Sequence, residues 1–323
     1  MEKKISVVIP TYKRLKLLFN CLNALRNQTL PASDFEVIVV SDGPDEQTES
    51  ALKNYGMQVD FDLHYRFTKT KKGPAAARNI GWLSANSKLV AFTDDDCLPQ
   101  KEWLAEFLSR YGNQQLVAYT GRTIVPISDR PTDFALNTSR LQDADFITAN
   151  CACSKNALIA AGGFDEDFSM AWREDSDLEF KLLLLGVPIF HNDDAVVVHP
   201  VREAHWGVSL KEQKKGIFDV LLYKKHPQLY RQKIQPKPIW FYYAIVALLS
   251  LSVITALFGL RTSSKMLALA CLLLLAFFAV KRLQNTSKSA KHVSEMIVTS
   301  LLIPFVSIYW RIYGSIKYRK LLF

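Results

Sequence analysis

Asp94, Asp95 and Asp96 follow one another directly behind the apolar run Val90-Ala91-Phe92. Such a run reads as a buried strand, so the three acids stand where that strand opens onto solvent. Adjacent like charges repel, and folding alone does not call for them. A hard divalent cation holding a phosphorylated ligand would offset the repulsion, because carboxylate oxygens suit Mg2+ or Mn2+. A solvated acidic turn is the plain alternative for the triplet by itself. Other polar groups take comparable places: Asp42 follows Phe35-Glu36-Val37-Ile38-Val39-Val40-Ser41, and His199 follows Ala195-Val196-Val197-Val198. A lone histidine at a strand end serves either as a ligand or as a buried structural side chain. Glu174 and Asp175 open a stretch in which Leu178, Leu182 and Leu185 recur at helical spacing and are expected to face inward. Carboxylates at a helix N-terminus are ordinary capping charges, and the helix dipole favours their ionised form.

The elements that must carry these groups follow from periodicity. Ile5 to Ile9 reads as a strand stopped by Pro10. Leu15, Leu18, Leu22 and Leu25 place a helix over about residues 13–27. A second strand at 35–40 closes on Ser41-Asp42-Gly43-Pro44. A helix at about 46–55, an irregular strand around 61–67, a helix over 74–84 and a strand at 89–92 come next. The alternation implies a doubly wound, mainly parallel α/β sheet. Ligands bind at the carboxyl ends of the strands in such sheets, so Thr11 with Tyr12, Asp42, and the acidic triplet are expected to converge on one edge. Gly73-Pro74 opens a helix whose free N–H groups suit a phosphate. Arg78, one turn in, can pair with phosphate or with the acids, or stand as a surface arginine.

The 323 residues suffice for one large domain or two modest ones. Nearly half the chain, 49%, is hydrophobic, and its net charge of +9 is unevenly spread. Residues 201–323 hold 19 Lys and Arg against 4 Asp and Glu, while residues 1–200 carry a net charge of −6. Two charge-free apolar stretches, 238–260 and 266–280, predict a membrane hairpin joined at 261–265. The second stretch, about 22 Å as a helix, is short for a span unless Lys265, Lys281 and Arg282 snorkel. A buried helix pair in a soluble core is the other reading. Basic residues on both flanks place those flanks in the cytoplasm. A third apolar run, 296–310, contains Pro304 and reads as part of an interfacial amphipathic helix over about 293–318, a third span being the alternative. The basic flanks suit an anionic lipid surface, and no nucleic-acid partner is expected because they border apolar helices rather than a stacking surface. The five-residue apolar run at the N-terminus is too short for a signal peptide. Five sparsely spaced cysteines form no disulfide or zinc pattern and fit a reducing compartment.

Taken together, five motifs fall in register. They are Val7-Val8-Ile9-Pro10-Thr11-Tyr12-Lys13-Arg14, Val39-Val40-Ser41-Asp42-Gly43, Gly73-Pro74-Ala75-Ala76-Ala77-Arg78-Asn79-Ile80-Gly81, Thr93-Asp94-Asp95-Asp96, and Trp172-Arg173-Glu174-Asp175. Asn150 and Gly162-Gly163-Phe164-Asp165 fall between the last two. In this the chain resembles the glycosyltransferase family 2 enzymes of GT-A fold, over about residues 4–200. The resemblance implies a GT-A catalytic domain, set at 1–230, and the apolar stretches leave a membrane-associated helical region at 231–323 with a hairpin at 239–260 and 266–282.

It also implies roles. Pro10, Thr11, Tyr12, Arg14, Asp42, Gly73, Arg78, Asp94 and Asp95 would hold a nucleotide sugar. Asp96 and His199 would ligate Mn2+ or Mg2+. Asp175 would be the general base, and Gly163, Phe164, Trp172 and Glu174 would line the acceptor side. The expected reaction is inverting transfer from a nucleotide-diphosphate sugar, most simply a UDP-sugar, to a hydroxyl of a glycan or lipid-linked acceptor. The expected place is the cytoplasmic face of an inner (plasma) membrane. Two other readings stand beside it. A processive polysaccharide synthase would carry a Gln-x-x-Arg-Trp motif, where this chain has Arg202-Glu203-Ala204-His205-Trp206. A non-catalytic membrane scaffold would have no need of acids at all three sites.

Overall fold

The computed structural model describes residues 3–322. In chain order its elements are β1 (Ile5–Thr11), α1 (Leu15–Arg26), β2 (Phe35–Ser41), α2 (Glu46–Gly56), β3 (Asp62–Phe67), α3 (Pro74–Ser84), β4 (Leu89–Phe92), β5 (Leu98–Pro99), α4 (Trp103–Tyr111) and β6 (Ala118–Ile124). There follow α5 (Asp133–Ser139), β7 (Cys151–Ser154), α6 (Lys155–Ala161), α7 (Glu174–Leu184), β8 (Ile189–Val198), α8 (Val208–Glu212), α9 (Gly216–Lys225), α10 (Pro227–Leu229), α11 (Trp240–Leu257), α12 (Arg261–Leu283) and α13 (Ala290–Tyr318). They pack as two compact units. One runs to Pro126 and resumes over Ser139–Val201; the other comprises Ile127–Thr138 and the chain from Arg202 onward.

The first unit is built on an eight-stranded sheet of order β3-β2-β1-β4-β7-β6-β8-β5. Strands β3, β2, β1 and β4 are parallel, as the alternation of elements requires. Beyond β4 the sheet turns mixed: β7 runs antiparallel to both β4 and β6, and β5 runs antiparallel to β8. Both faces are covered. Val7, Ile9, Val37 and Val39 face Leu18, Leu22 and Leu25 of α1 on one side. Val8, Ile38 and Val40 face Ala77 and Trp82 of α3 on the other. Gly81 makes that second contact possible, because a Cβ there would fall 2.3 Å from Val8 Cγ1.

Pro10 does not stop β1, contrary to the sequence expectation; the strand runs on to Thr11. Val8 accepts a hydrogen bond from Thr93 N on the β4 side, and β4 pairs with β1 only as far as Val8. Pro10, two residues on, turns its missing N–H toward that same side, where no strand needs it. Leu185 also departs from expectation. It is the residue just past α7 and is exposed, whereas Leu178 and Leu182 are buried.

In the second unit α11, α12 and α13 have 18, 23 and 29 residues, and all three are long and apolar enough to cross a membrane. The expected link at 261–265 is instead the first turn of α12, so that helix is about 35 Å long, while its charge-free part is still 266–280 and Lys265, Lys281 and Arg282 would snorkel in a span. The chain reverses one step earlier, at Gly259 (φ +76°), where Gly259 N and Leu260 N close α11 onto Ala256 O and Thr255 O. Pro304 sits inside α13 without ending it. Arg282 anchors the excursion at 127–138: Nη2 lies 2.7 Å from Asp133 Oδ2, and Nη1 donates to Thr299 and Ser300.

Candidate active site

Three strand ends deliver the expected groups to one edge. Parallel pairing places Thr11 at the end of β1 beside Ser41 at the end of β2, and Asp42 N donates to Thr11 O at 2.9 Å. The triplet follows β4, whose Phe92 pairs with Val8. Thr11 Oγ1 donates to Asp95 Oδ2 at 2.8 Å, and Arg14 Nη1 reaches Asp95 Oδ1 at 3.2 Å. Burial, with the charges of Asp96 and Asp94 added, pushes Asp95 up to about 6 even though Arg14 and Thr11 pull the other way. Asp95 therefore lies beneath the site, braced from β1.

Asp42 is also largely internal. Its carboxylate accepts from Lys72 N at 2.7 Å and from Gly73 N at 2.9 Å, and so holds the loop that leads into α3. Gly73 has φ +107°, and a Cβ on it would lie 2.5 Å from Ser169 O. Only glycine fits there. Tyr12 is half-buried, with Lys71 Nζ 3.8 Å from its ring centroid. Sequence reasoning passed over Lys71, although the run Lys69-Thr70-Lys71-Lys72 directly before Gly73 was a signal of positive charge at a phosphate-sized turn.

Arg78 is the centre of the arrangement and is no surface arginine. Its side chain is 2% exposed; Nη2 lies 2.7 Å from Asp94 Oδ1 and Nη1 lies 3.0 Å from Glu174 Oε1. Burial would lower its pKa, but the two carboxylates more than offset this and hold it charged. Glu174 is pushed up to about 7, mainly by burial and then by the neighbouring Asp175, with Arg78 opposing. Burial likewise raises Asp175, against Ser176 N, which donates to Oδ1 at 2.7 Å, and against the charges of Arg173 and Arg78. Arg173, another residue the sequence did not single out, precedes α7 with φ +74°, and its guanidinium stacks 4.7 Å from the Trp172 ring centroid. Trp172 is exposed. A left-handed non-glycine residue is a strained conformation, and such strain clusters at functional sites.

Asp96 and His199 come together: His199 Nε2 lies 3.7 Å from Asp96 Oδ1, and both side chains are buried. Carboxylate and imidazole are fitting ligands for a first-row divalent cation, and His199 Nδ1 is buried without a hydrogen-bond partner. The remaining expected residues are internal. Gly163 (φ +65°) abuts Asn79 and Trp82, and Phe164 lies in the core, edge-on to Phe92 and 5.7 Å below the Arg78 guanidinium. Asn150 bolts the sheet, accepting from Trp103 Nε1 and donating to Arg122 O and Ala195 O. All five cysteines are free and buried.

A curled, mainly parallel sheet with an acidic triplet at one strand end and a second acidic pair heading α7 defines a GT-A glycosyltransferase. The comparisons with known proteins give the family: the profile of Glycosyl transferase family 2 matches residues 6–168, and the chain belongs to that family. The glycosyltransferase AglE of Haloferax volcanii is 34% identical over 218 residues, 65% of this chain and 70% of that protein. A validoxylamine A glucosyltransferase of Streptomyces hygroscopicus is 26% identical over 276 residues, and this chain spans 61% of its length. Among solved structures, the mannosyltransferase PcManGT of Pyrobaculum calidifontis, in complex with GDP-Man and Mn2+, matches with a TM-score of 0.59. That match covers 96% of this chain and 88% of that one at 18% identity, a likeness of fold.

Proposed function

We propose that this enzyme is an inverting, metal-assisted transferase that moves a sugar from a nucleotide-diphosphate sugar to a hydroxyl of a glycan or lipid-linked acceptor. The observation that carries the reading is the Arg78 bridge. One buried guanidinium ties Asp94, at the end of β4, to Glu174, at the head of α7. Donor and acceptor machinery thereby share one rigid link.

In this reading Asp175 takes the proton from the acceptor hydroxyl, whose oxygen attacks the anomeric carbon in line as the nucleotide diphosphate leaves on the opposite side. The helix N-terminus and the Ser176 N–H favour its carboxylate form. Tyr12 stacks on the base. Thr11, Arg14, Asp42 and Asp95 shape the base and ribose pocket under Pro10, and Gly73 lets the head of α3 approach the phosphates. Asp96 and His199 hold Mn2+ or Mg2+, which when bound offsets negative charge on the leaving diphosphate. Trp172 and Glu174 form the acceptor wall, with Gly163 and Phe164 setting the loop beneath. A UDP-sugar donor is the simplest choice, and PcManGT, solved in complex with GDP-Man, makes a guanine nucleotide the alternative. The basic flanks of the apolar helices support a place on the cytoplasmic face of the plasma membrane, against anionic lipid.

The test is transfer by membranes carrying the protein, offered a panel of radiolabelled nucleotide sugars with Mn2+, followed by extraction of lipid and glycan products. Label incorporated from one donor, and lost in Asp175→Asn, supports the reading. Asp175→Asn turning over at the wild-type rate would remove the base assignment.

A further inference from the structure

Cys97 has no part in the transfer chemistry described above, yet it stands at the cation site. Among the described residues, Asp96, Cys97 and His199 each place a ligand atom within 4.8 Å of the other two, and all three are buried. Strand register explains the meeting. The short ladder of β5 with β8 pairs Leu98 with Val198 and Pro99 with Val197 in antiparallel sense. One step further along the same register, Cys97 stands opposite His199, and directly opposed side chains are close neighbours. The hydrogen bond from Cys97 N to Asp94 O, at 3.1 Å, folds the turn so that Asp96 joins them. The imidazole nitrogen that faces this group is Nε2, 3.7 Å from Asp96 Oδ1.

One carboxylate oxygen, one imidazole nitrogen and one sulfur do not make the all-oxygen shell that Mg2+ prefers. They are the mixed set that zinc takes, and mixed sites of this kind bind Zn2+ more tightly than Mn2+. We propose that Asp96, Cys97 and His199 form a site for a thiophilic divalent ion, Zn2+ or Cd2+, which displaces the hard cation of the transfer reaction from the same position. The inference rests on the reading that Asp96 and His199 hold that hard cation. Binding forms a metal–sulfur bond with both electrons from sulfur, and the thiol proton passes to solvent. Nothing is oxidised or reduced. Traces of zinc would then arrest the enzyme by occupying the cation position.

The experiment uses the full chain in detergent, stripped with chelator and loaded with one equivalent of Zn2+. X-ray absorption at the zinc edge is expected to show one sulfur at about 2.3 Å beside nitrogen and oxygen at about 2.0–2.2 Å. A shell of nitrogen and oxygen alone overturns the proposal. Cys97→Ser is expected to lose the sulfur and weaken Zn2+ binding by at least roughly tenfold; sulfur retained in that variant overturns the proposal. If Cys97→Ser does not fold, His199→Ala serves instead, and wild-type zinc affinity there overturns it equally. Electron paramagnetic resonance of unbound Mn2+ provides the competition arm. Zn2+ is expected to release bound Mn2+ one for one, and Mn2+ staying bound beside sulfur-ligated zinc sinks the shared site. A wild-type protein that binds Mn2+ but shows no zinc–sulfur bond leaves the proposed function standing. One that binds neither ion removes the ligand roles of Asp96 and His199 as well.

Discussion

Arg78 and Glu174 face each other at 3.0 Å, and their side chains are 2% and 5% exposed. They come from α3 and from the first turn of α7, 96 positions apart. Both charges lie in a place where water cannot solvate either one alone. The consequences for stability, pH response and catalysis follow from that.

Truncating one partner leaves the other buried without its counter-charge. Arg78→Met is expected to destabilise the protein by about 3–5 kcal/mol, the usual cost of breaking a buried pair. Thermal melting of the purified chain with Glu174→Gln and the double variant checks it. The double variant should recover part of the loss, and strictly additive losses would mean the two side chains are not coupled.

Glu174 also makes stability depend on pH. Its folded-state value of about 7 lies above its ordinary 4.5, so between those values the folded protein binds the proton more tightly than the unfolded chain does. Stability is therefore lost as pH rises through that window, by up to roughly 3 kcal/mol, and the loss is complete above it. Chemical denaturation at pH 5 and pH 8 should show this difference shrinking in Glu174→Gln. The same pH dependence in both proteins would assign the effect elsewhere.

Asp175 must be ionised to act as a base, and burial raises its pKa. The acid limb of kcat/KM should therefore lie above the ordinary aspartate value of about 3.9. Asp175→Asn should lower turnover by roughly 10²–10⁴-fold while donor binding, read by calorimetry, changes only a few-fold. A comparable loss of donor binding would place Asp175 on the donor side instead.

Asp96→Ala should abolish the enhancement of donor binding by Mn2+. Titration of nucleotide sugar with and without Mn2+ reads this directly, and an unchanged Mn2+ dependence excludes Asp96 as a ligand.

The Gly73 loop offers a backbone test. Gly73→Ala introduces a Cβ 2.5 Å from Ser169 O at φ +107°, and should cost more than about 1 kcal/mol together with donor affinity. Gly112→Ala, at φ +50° with nothing within 4 Å, is the control and should cost less. Equal losses would mean that the close approach to Ser169 contributes nothing.

The parallel half of the sheet was legible in the sequence because apolar runs and helical spacing are local. Residues 74–84 and 89–92 have the expected bounds, and the strand ends carry the expected acids. The three apolar helices were legible for the same reason, since length and lack of charge are local properties. What happens to individual groups in space was not. Asp42 and Asp95 look alike as acids at strand ends, but one clamps the Gly73 loop and the other braces β1. Nothing local distinguishes Arg78 from a surface arginine; its environment is made by Glu174, almost a hundred residues away. Cys97 meets His199 only because two residues of β5 pair with β8 in one particular register. The sequence by itself determined which residue types stand at the ends of which elements. Tertiary structure alone decided which of them are buried, paired or set within reach of a cation, because burial and proximity depend on long-range packing rather than on neighbours along the chain.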